Sequence, residues 1–368
     1  MGIFIEDRLI RMLRVCGTYY TIWPLSSEDG KYKTLFCNFL WWFYTVNILT
    51  EVFLIIKSMF HQEGSVNILK SLVETTYVLE ISFGIICCRI RRKQIQKLLF
   101  EIEQPHKIWT PREQAIRSKF IRRLYKICIP VWAISVADIL LYISSPLITN
   151  RMFPLNNVYP FPISNIWVHC LTYVHSAIAL QQAAIVVFID LMITVIMWHA
   201  AFKFYLLGMQ INLVDTAEKL RASIIEYQNI ISYVREIEHT FNILILKSAV
   251  VTFIDVIASS LLVLNNAPIV EILEFFISTF ISVGRLFICC WAADEITDKA
   301  YDVAWQIYTS PCMYGSSIMR QNIYMLIQRC LKPVVISTSG FIPVVSIKFC
   351  GKLLYLTFSF FMALRAIL

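Results

Sequence analysis

Charged residues are scarce in this sequence. Only 16% of its 368 residues are Asp, Glu, Lys or Arg, whereas 58% are hydrophobic and the mean hydropathy is +0.64. A soluble globular protein is about a quarter charged and about half apolar. The polar side chains here are too few to cover a particle in water. This composition excludes an ordinary soluble enzyme, a disordered chain and a secreted disulfide scaffold, and it leaves an integral membrane protein.

The motifs of common catalytic and metal sites are also absent. The sequence has no HExxH, no glycine-rich phosphate loop and no G-x-S-x-G, and its six histidines form no i,i+4 pair. Its eleven cysteines contain no CxxC, and most lie in apolar runs, as buried free thiols do. We therefore expect no catalytic residue, no metal site and no cofactor. We attribute the net charge of +8 to basic residues that orient the spans in the membrane, and not to a surface that binds nucleic acid.

Seven apolar segments are long enough to cross a bilayer, which takes roughly 20 residues. No linker separates them, so we predict a single all-α membrane domain over 1–368, and no removed signal peptide at its start. The predicted spans 1 to 7 are 34–60, 66–88, 120–146, 168–202, 243–266, 269–293 and 335–368.

The basic residues predict the direction of these spans. Lys and Arg alternate between rich and poor connections, with 26 on one side of the membrane and 3 on the other. Short loops rich in Lys and Arg stay in the cytosol. The N-terminal segment 1–33 is therefore expected in the cytosol and the C-terminus outside. A G-protein-coupled receptor crosses in the opposite direction, so this pattern speaks against that class.

Two cytosolic connections, 203–242 and 294–334, are predicted to be helical. Apolar residues in the first recur at helical spacing. A short helix over 319–331 should end before Pro333, followed by a break and then the last membrane helix. These pieces either pack tightly, including between subunits, or form a solvated hairpin. The spaced apolar residues of the first connection are Leu213, Leu220, Ile224, Ile231, Val234 and Ile237.

Polar and aromatic residues inside the spans are the candidates for function, because ionisable groups are costly in lipid. Lys348, Lys352 and Ser359 share one face of the last span, where they either line a water-filled path or pair with neighbouring acids. Aromatic residues of the outer halves mark either the membrane interface or a pocket for an apolar ligand. Ionisable residues also lie within the other spans, at Glu51, Glu74, Glu80, Asp138, Asp190, Asp255 and Arg285.

The C-terminal part of the sequence carries a recognisable set of features. They are Tyr301, Trp305, Gln328, the Lys332–Pro333 pair, Gly340–Phe341, Ser346 and the ending Phe358 to Leu364. In this set the sequence resembles the signature region of insect odorant receptors. Segment 226–242 also resembles the family's cytosolic helix, whereas the TY-x5-QF ending of gustatory receptors is missing. Elsewhere the resemblance is weak.

This resemblance implies a ligand-gated, non-selective cation channel in the plasma membrane of olfactory sensory neurons, with no G protein required. Four subunits would surround one pore and meet through a cytosolic anchor. The chain lacks the long 4–5 insertion of the shared co-receptor, so it is expected to be the ligand-tuning subunit of a heterotetramer with that co-receptor. The implied anchor residues are Tyr301, Trp305, Gln328, Lys332 and Pro333.

The same resemblance assigns the gate and the pocket. By position from the C-terminus the gate maps onto Ala363 and Ile367, and the polar stripe of Lys348, Lys352 and Ser359 is the candidate pore-facing surface. Because Ala363 is small and Lys348 would oppose cation flux, partner subunits are expected to dominate closure and permeation. A volatile hydrophobic ligand would bind in the outer half between spans 2 to 6, at Tyr77, Asp138, Tyr142, Tyr173, Phe276 and Thr279.

Three alternatives remain open at this point. A seven-span membrane hydrolase with zinc would run in the same direction, but it needs converging histidines. A gustatory-type chemoreceptor would share the architecture. A passive scaffold subunit with a vestigial pocket would differ only in having no response to a ligand.

Overall fold

The computed structural model describes residues 2–24, 30–61, 65–103, 110–148, 152–265, 268–311, 317–338 and 340–367. These residues form eleven α-helices and, within the described ranges, no strand beyond an isolated bridge between Thr338 and Ile342. The predicted all-α fold is confirmed. The helices are α1 (Gly2–Tyr19), α2 (Lys31–His61), α3 (Ser65–Ile90), α4 (Arg92–Glu103), α5 (Pro111–Ile148), α6 (Ile166–Gln182), α7 (Ala184–Ile211), α8 (Ala217–Leu264), α9 (Ile269–Tyr308), α10 (Ser317–Cys330) and α11 (Ile347–Ile367).

Helix α7 forms the centre of the bundle. It is apolar on every side, and most of its residues are buried against α9, α8, α5 and α3. A helix that is hydrophobic all round must be surrounded, because it has no face to offer to water. Predicted span 4 is in fact two helices, α6 and α7, since the helix is interrupted at Ala183.

Six stretches among the described residues are long and apolar enough to cross a membrane: Lys31–His61, Asn67–Ile90, Pro111–Pro146, Ile166–Ile211, Ala217–Leu264 and Ile272–Tyr308. They contain helices at predicted spans 1 to 6. The chain is therefore a multi-span membrane protein.

The seventh predicted span starts too early. Residues 335–338 and 340–346 are not helical, and α11 begins only at Ile347. Thr338 and Ile342 form a short turn in which Gly340 has φ of +82°, a conformation that L side chains rarely adopt. Pro343 follows this turn and donates no hydrogen bond. α11 is not among the six stretches above, and its crossing stays a prediction.

The connection between spans 4 and 5 is a helical hairpin. α7 ends at Ile211 and α8 begins at Ala217, where the Thr216 side chain accepts a hydrogen bond from the Lys219 amide. In the turn, the Lys219 ammonium holds the pKa of Asp215 below its usual range. Of the predicted apolar face, Leu220, Ile231, Val234 and Ile237 are buried and Ile224 is partly buried, whereas Leu213 is exposed because it lies in the turn.

The second connection that the sequence predicts in the cytosol, 294–334, contains the end of α9 and all of α10. α9 continues as a helix to Tyr308, well past the predicted end of span 6. α10 ends at Cys330, before Pro333. α10 packs against α9, and its residues Ile323, Leu326 and Cys330 are buried. Burial raises the pKa of the Cys330 thiol to about 11.

Candidate functional site

A cavity of about 100 Å³ lies between α3, α5, α9 and the α6–α7 junction. It is nearer the end of the bundle at which α3, α6 and α9 begin and α5 ends. Its volume is of the same order as the roughly 150 Å³ core cavity that accommodates benzene in another protein. The apolar part of its wall consists of Val78, Ile81, Ile139, Leu155, Ala179, Leu180, Ala183, Val186, Val187, Phe275 and Ile281.

The cavity wall also carries polar and charged side chains. Ligand pockets combine a mostly apolar lining with a few placed polar groups that orient the ligand. Here the polar groups come from three helices, so a ligand in the cavity would touch all three. They are Glu74, Tyr77 and Glu80 on α3, Ser135, Asp138 and Tyr142 on α5, and Ser278, Ser282 and Arg285 on α9.

A buried ion cluster forms one end of the cavity. Arg285 donates from Nε to Asp190 Oδ2 at 2.7 Å and from Nη2 to Glu80 Oε1 at 2.6 Å. Lys247 Nζ lies 2.9 Å from the same Glu80 oxygen. The four charges balance and join α3, α7, α8 and α9. Such a cluster is tolerated away from water only because each charge faces an opposite one.

Hydroxyl groups extend this polar contact between the helices. Ser278 donates to the Tyr77 hydroxyl oxygen at 2.8 Å, which links α9 to α3. Ser282 donates to Asp255 Oδ2 at 2.6 Å, which links α9 to α8. α8 thus supports the cavity wall from behind, although none of its residues lines the cavity. This differs from the expectation that span 5 forms part of the pocket wall.

The segment 152–165 closes over the cavity and is fixed by buried acids. The Asn156 amide donates to Glu74 Oε2 at 3.0 Å, and the Asn157 side chain donates to Glu51 Oε1 at 2.6 Å. Glu51, which is fully buried, also lies 3.1 Å from His175 Nδ1. These contacts hold Leu155 in the cavity wall.

The structure brings three of the predicted ligand residues to the cavity, namely Tyr77, Asp138 and Tyr142. It does not bring the other three there. Tyr173 points to α5, where its hydroxyl donates to the Ile143 carbonyl at 2.5 Å. Phe276 is 64% exposed, and its neighbour Phe275 lines the cavity instead. Thr279 hydrogen-bonds Ser259 on α8.

The predicted pore residues lie on the outer face of α11. Lys348, Lys352, Ser359 and Ala363 are exposed, whereas Cys350 and Thr357 on the opposite face are buried in the bundle. The side chain of Ile367 lies outside the described residues. The polar stripe thus faces away from its own subunit, and no ion pair of these lysines to a neighbouring acid occurs among the residues described.

The predicted anchor residues are all at the surface. Tyr301 and Trp305 are 59% and 63% exposed, and Gln328, Lys332 and Pro333 are exposed as well. Large apolar side chains at a surface indicate an interaction site when they are contiguous. Trp305 packs against Tyr308, also exposed, with ring centroids 5.8 Å apart. The free chain thus presents an aromatic surface at the end of α9.

Sequence reasoning missed the pairing within the ion cluster. Glu80, Asp190 and Arg285 stood out as charges inside spans, but Lys247 was counted with the cytosolic cations of a connection. Charge balance could have indicated that these residues pair, since charges buried within the membrane need opposite partners. Which acid meets which base depends on helix packing between residues up to 205 positions apart.

Comparison with known proteins identifies the family. The chain has the fold of the insect olfactory receptor OR5 from Machilis hrabei, with a TM-score of 0.84, 14% identity and coverage of 98% of both chains. The structure of that receptor in complex with eugenol gives a TM-score of 0.85 at 15% identity, covering 99% of this chain and 100% of the receptor. No curated protein sequence matches this chain. The family model of the 7tm odorant receptor matches residues 66–346, and the chain belongs to that family.

Proposed function

We propose that this odorant receptor is the ligand-tuning subunit of an odorant-gated, non-selective cation channel in the plasma membrane of olfactory sensory neurons. The observation that carries the proposal is the cavity of about 100 Å³ between α3, α5, α9 and the α6–α7 junction, in a chain of the odorant receptor family. A solved receptor of the same fold was obtained in complex with eugenol, a small odorant. A small volatile molecule in this cavity is the proposed ligand.

Ligand binding would gate the channel through the helices that the cavity joins. A ligand shifts a conformational equilibrium only if it binds one state more tightly than the other. The cavity contacts α9, and α9 packs against α11. A small movement of α9 around the ligand would therefore reach the proposed pore helix directly. Burial of apolar surface, worth about 25 cal/mol per Å², would supply most of the affinity.

The pore is proposed to form where the outer faces of four α11 helices meet. The exposure of Lys348, Lys352 and Ser359 in the single chain supports this arrangement, because these groups need water or a partner. Ala363 and Ile367 would form the gate near the outer end. Since Ala363 is small and Lys348 is cationic, the larger part of closure and conduction would come from the partner subunits.

The partners are proposed to be co-receptor subunits that assemble with this chain into a heterotetramer. The exposed surface around Tyr301, Trp305 and Gln328 supports such an anchor in the cytosol. This placement rests on the predicted orientation, with the N-terminus in the cytosol and the C-terminus outside. The excess of Lys and Arg on one side supports that orientation.

Co-expression with the co-receptor tests the function. Cells that express both chains should give an inward current with a broad panel of volatiles, whereas cells with the co-receptor alone should give a different response profile. Surface biotinylation of this chain provides the control for delivery. If the chain reaches the surface and the profile equals that of the co-receptor alone across the panel, the chain is a passive scaffold and the proposal is wrong.

The family membership argues against two of the three alternatives that the sequence left open. The 7tm odorant receptor family is a receptor family and not an enzyme family, so the chain is not the zinc hydrolase considered as an alternative. The gustatory alternative is disfavoured by the same match.

A further inference from the structure

Asp138 is the one acid of the cavity wall whose charge has no partner among the described residues. Its Oδ1 atom is inaccessible to solvent and makes no hydrogen bond there. The other two acids of the wall are engaged, since Glu80 binds Arg285 and Lys247, and Glu74 accepts a hydrogen bond from the Asn156 amide. A buried carboxylate oxygen without a partner costs free energy, which a ligand that supplies a hydrogen-bond donor would recover.

The surroundings of Asp138 favour a cation. Arg285 is the only cation among the described residues of the cavity wall, and its charge is already balanced within the ion cluster. The carboxyl of Glu274 on α9 lies close enough to interact electrostatically with Asp138. An organic cation that enters the cavity would therefore meet the Asp138 carboxylate without competition from another cation of the described wall.

The aromatic part of the wall fits the same kind of ligand. Tyr142 lies one turn beyond Asp138 on α5, and Tyr77 on α3 also lines the cavity. An ammonium group is attracted to the face of an aromatic ring as well as to a carboxylate. The remaining apolar wall, with Ile139, Val187 and Phe275, would hold a hydrocarbon group. The volume of about 100 Å³ limits that group to a compact ring or a short chain.

We propose that the cavity selects a small organic amine in its protonated form, with the ammonium bound to Asp138 and the hydrocarbon group against the apolar wall. This inference rests on the proposed function, because it names the ligand class of the same cavity. Asp138 is the specificity-determining residue. A neutral ligand cannot make the charged hydrogen bond to Asp138, and the loss of such a bond weakens binding roughly tenfold or more relative to the amine.

Four probes of equal heavy-atom count test this selection in cells that express the chain with the co-receptor. They are cyclohexylamine, cyclohexanol, cyclohexanone and methylcyclohexane. The wild type should respond to the amine at a concentration at least tenfold below that needed for the other three. Equal or stronger responses to the three neutral probes would overturn the inference, and so would no response to the amine in a receptor that answers other volatiles.

Variants of Asp138 separate recognition from folding. Asp138→Asn should raise the half-maximal concentration of cyclohexylamine at least tenfold and change that of a neutral agonist less than twofold. Asp138→Glu should keep the preference for the amine, and Asp298→Asn, the same change at an exposed site on α9, should have no effect. An equal loss for all agonists in Asp138→Asn would contradict the inference. The inference would also be wrong if the wild type responded only to cyclohexanone and Asp138→Asn lost that response. Asp138 would then act as a neutral carboxyl that donates a hydrogen bond to the ketone.

These outcomes can be told apart from failure of the proposed function. If the wild type, delivered to the surface with the co-receptor, adds no response to any volatile in the broad panel, the channel proposal itself fails. If it responds to neutral volatiles and not to amines, the channel proposal stands and only the amine selection is wrong.

Discussion

Replacement of Arg285 by Met is expected to destabilise the receptor strongly. Arg285, Glu80 and Asp190 are each less than 5% exposed, and Arg285 reaches both acids within 2.7 Å. Without Arg285, Lys247 still faces Glu80, but Asp190 is left as a buried charge with no cation. Removal of one partner from a buried ion pair costs about 3–5 kcal/mol. That is a large part of the 5–15 kcal/mol that stabilises a typical protein domain.

The magnitude can be checked by a double-mutant cycle. Arg285→Met with Asp190→Asn removes one charge of each sign and leaves the Glu80–Lys247 pair intact, so the double variant should regain much of the lost stability. The assay is thermal unfolding of detergent-solubilised receptor, followed by the fraction that elutes as monodisperse protein. If Arg285→Met unfolds at the wild-type temperature, or if the two single effects simply add, the cluster does not stabilise the fold in the way described.

Three further predictions concern particular residues. Phe275→Ala should raise the half-maximal ligand concentration several-fold, whereas Phe276→Ala should leave it unchanged, because only Phe275 lines the cavity; equal effects in dose–response recordings would contradict this. Gly340→Ala should cost about 1–2 kcal/mol because φ is +82° there, whereas Gly351→Ala within α11 should not destabilise, and equal melting temperatures would refute the assigned turn. Tyr173→Phe should lower stability by about 1 kcal/mol through the lost hydrogen bond to Ile143 but keep the dose response, and a shifted dose response would place Tyr173 in the ligand site.

The positions of the helices could be predicted from the sequence because lipid and protein interior select the same apolar residues. Hydropathy therefore located the spans without any knowledge of their neighbours. It failed at the last span, where residues 335–346 are apolar but the Thr338–Ile342 turn and Pro343 delay the helix to Ile347. Apolar composition does not report backbone conformation, so the length of that span was overestimated.

The cavity could be predicted only in part, since side-chain direction depends on the rotation of each helix about its axis. Phe275 and Phe276 are adjacent and chemically identical, yet one is buried in the cavity wall and the other is exposed. A rotation of about 100° per residue separates them. Nothing in one sequence fixes that angle when both faces of a span are apolar.

The central claim is that this chain and its partners are both receptor and channel, so that ligand binding opens the pore without a soluble messenger. Outside-out patches from cells that express the chain with the co-receptor, with no GTP or ATP in the pipette, test it most directly. The account predicts that an agonist identified in whole cells still evokes a cation current in these patches. Control patches that contain the co-receptor without this chain should give no current with the same agonist. A current that is present in whole cells and lost in nucleotide-free patches would contradict the account.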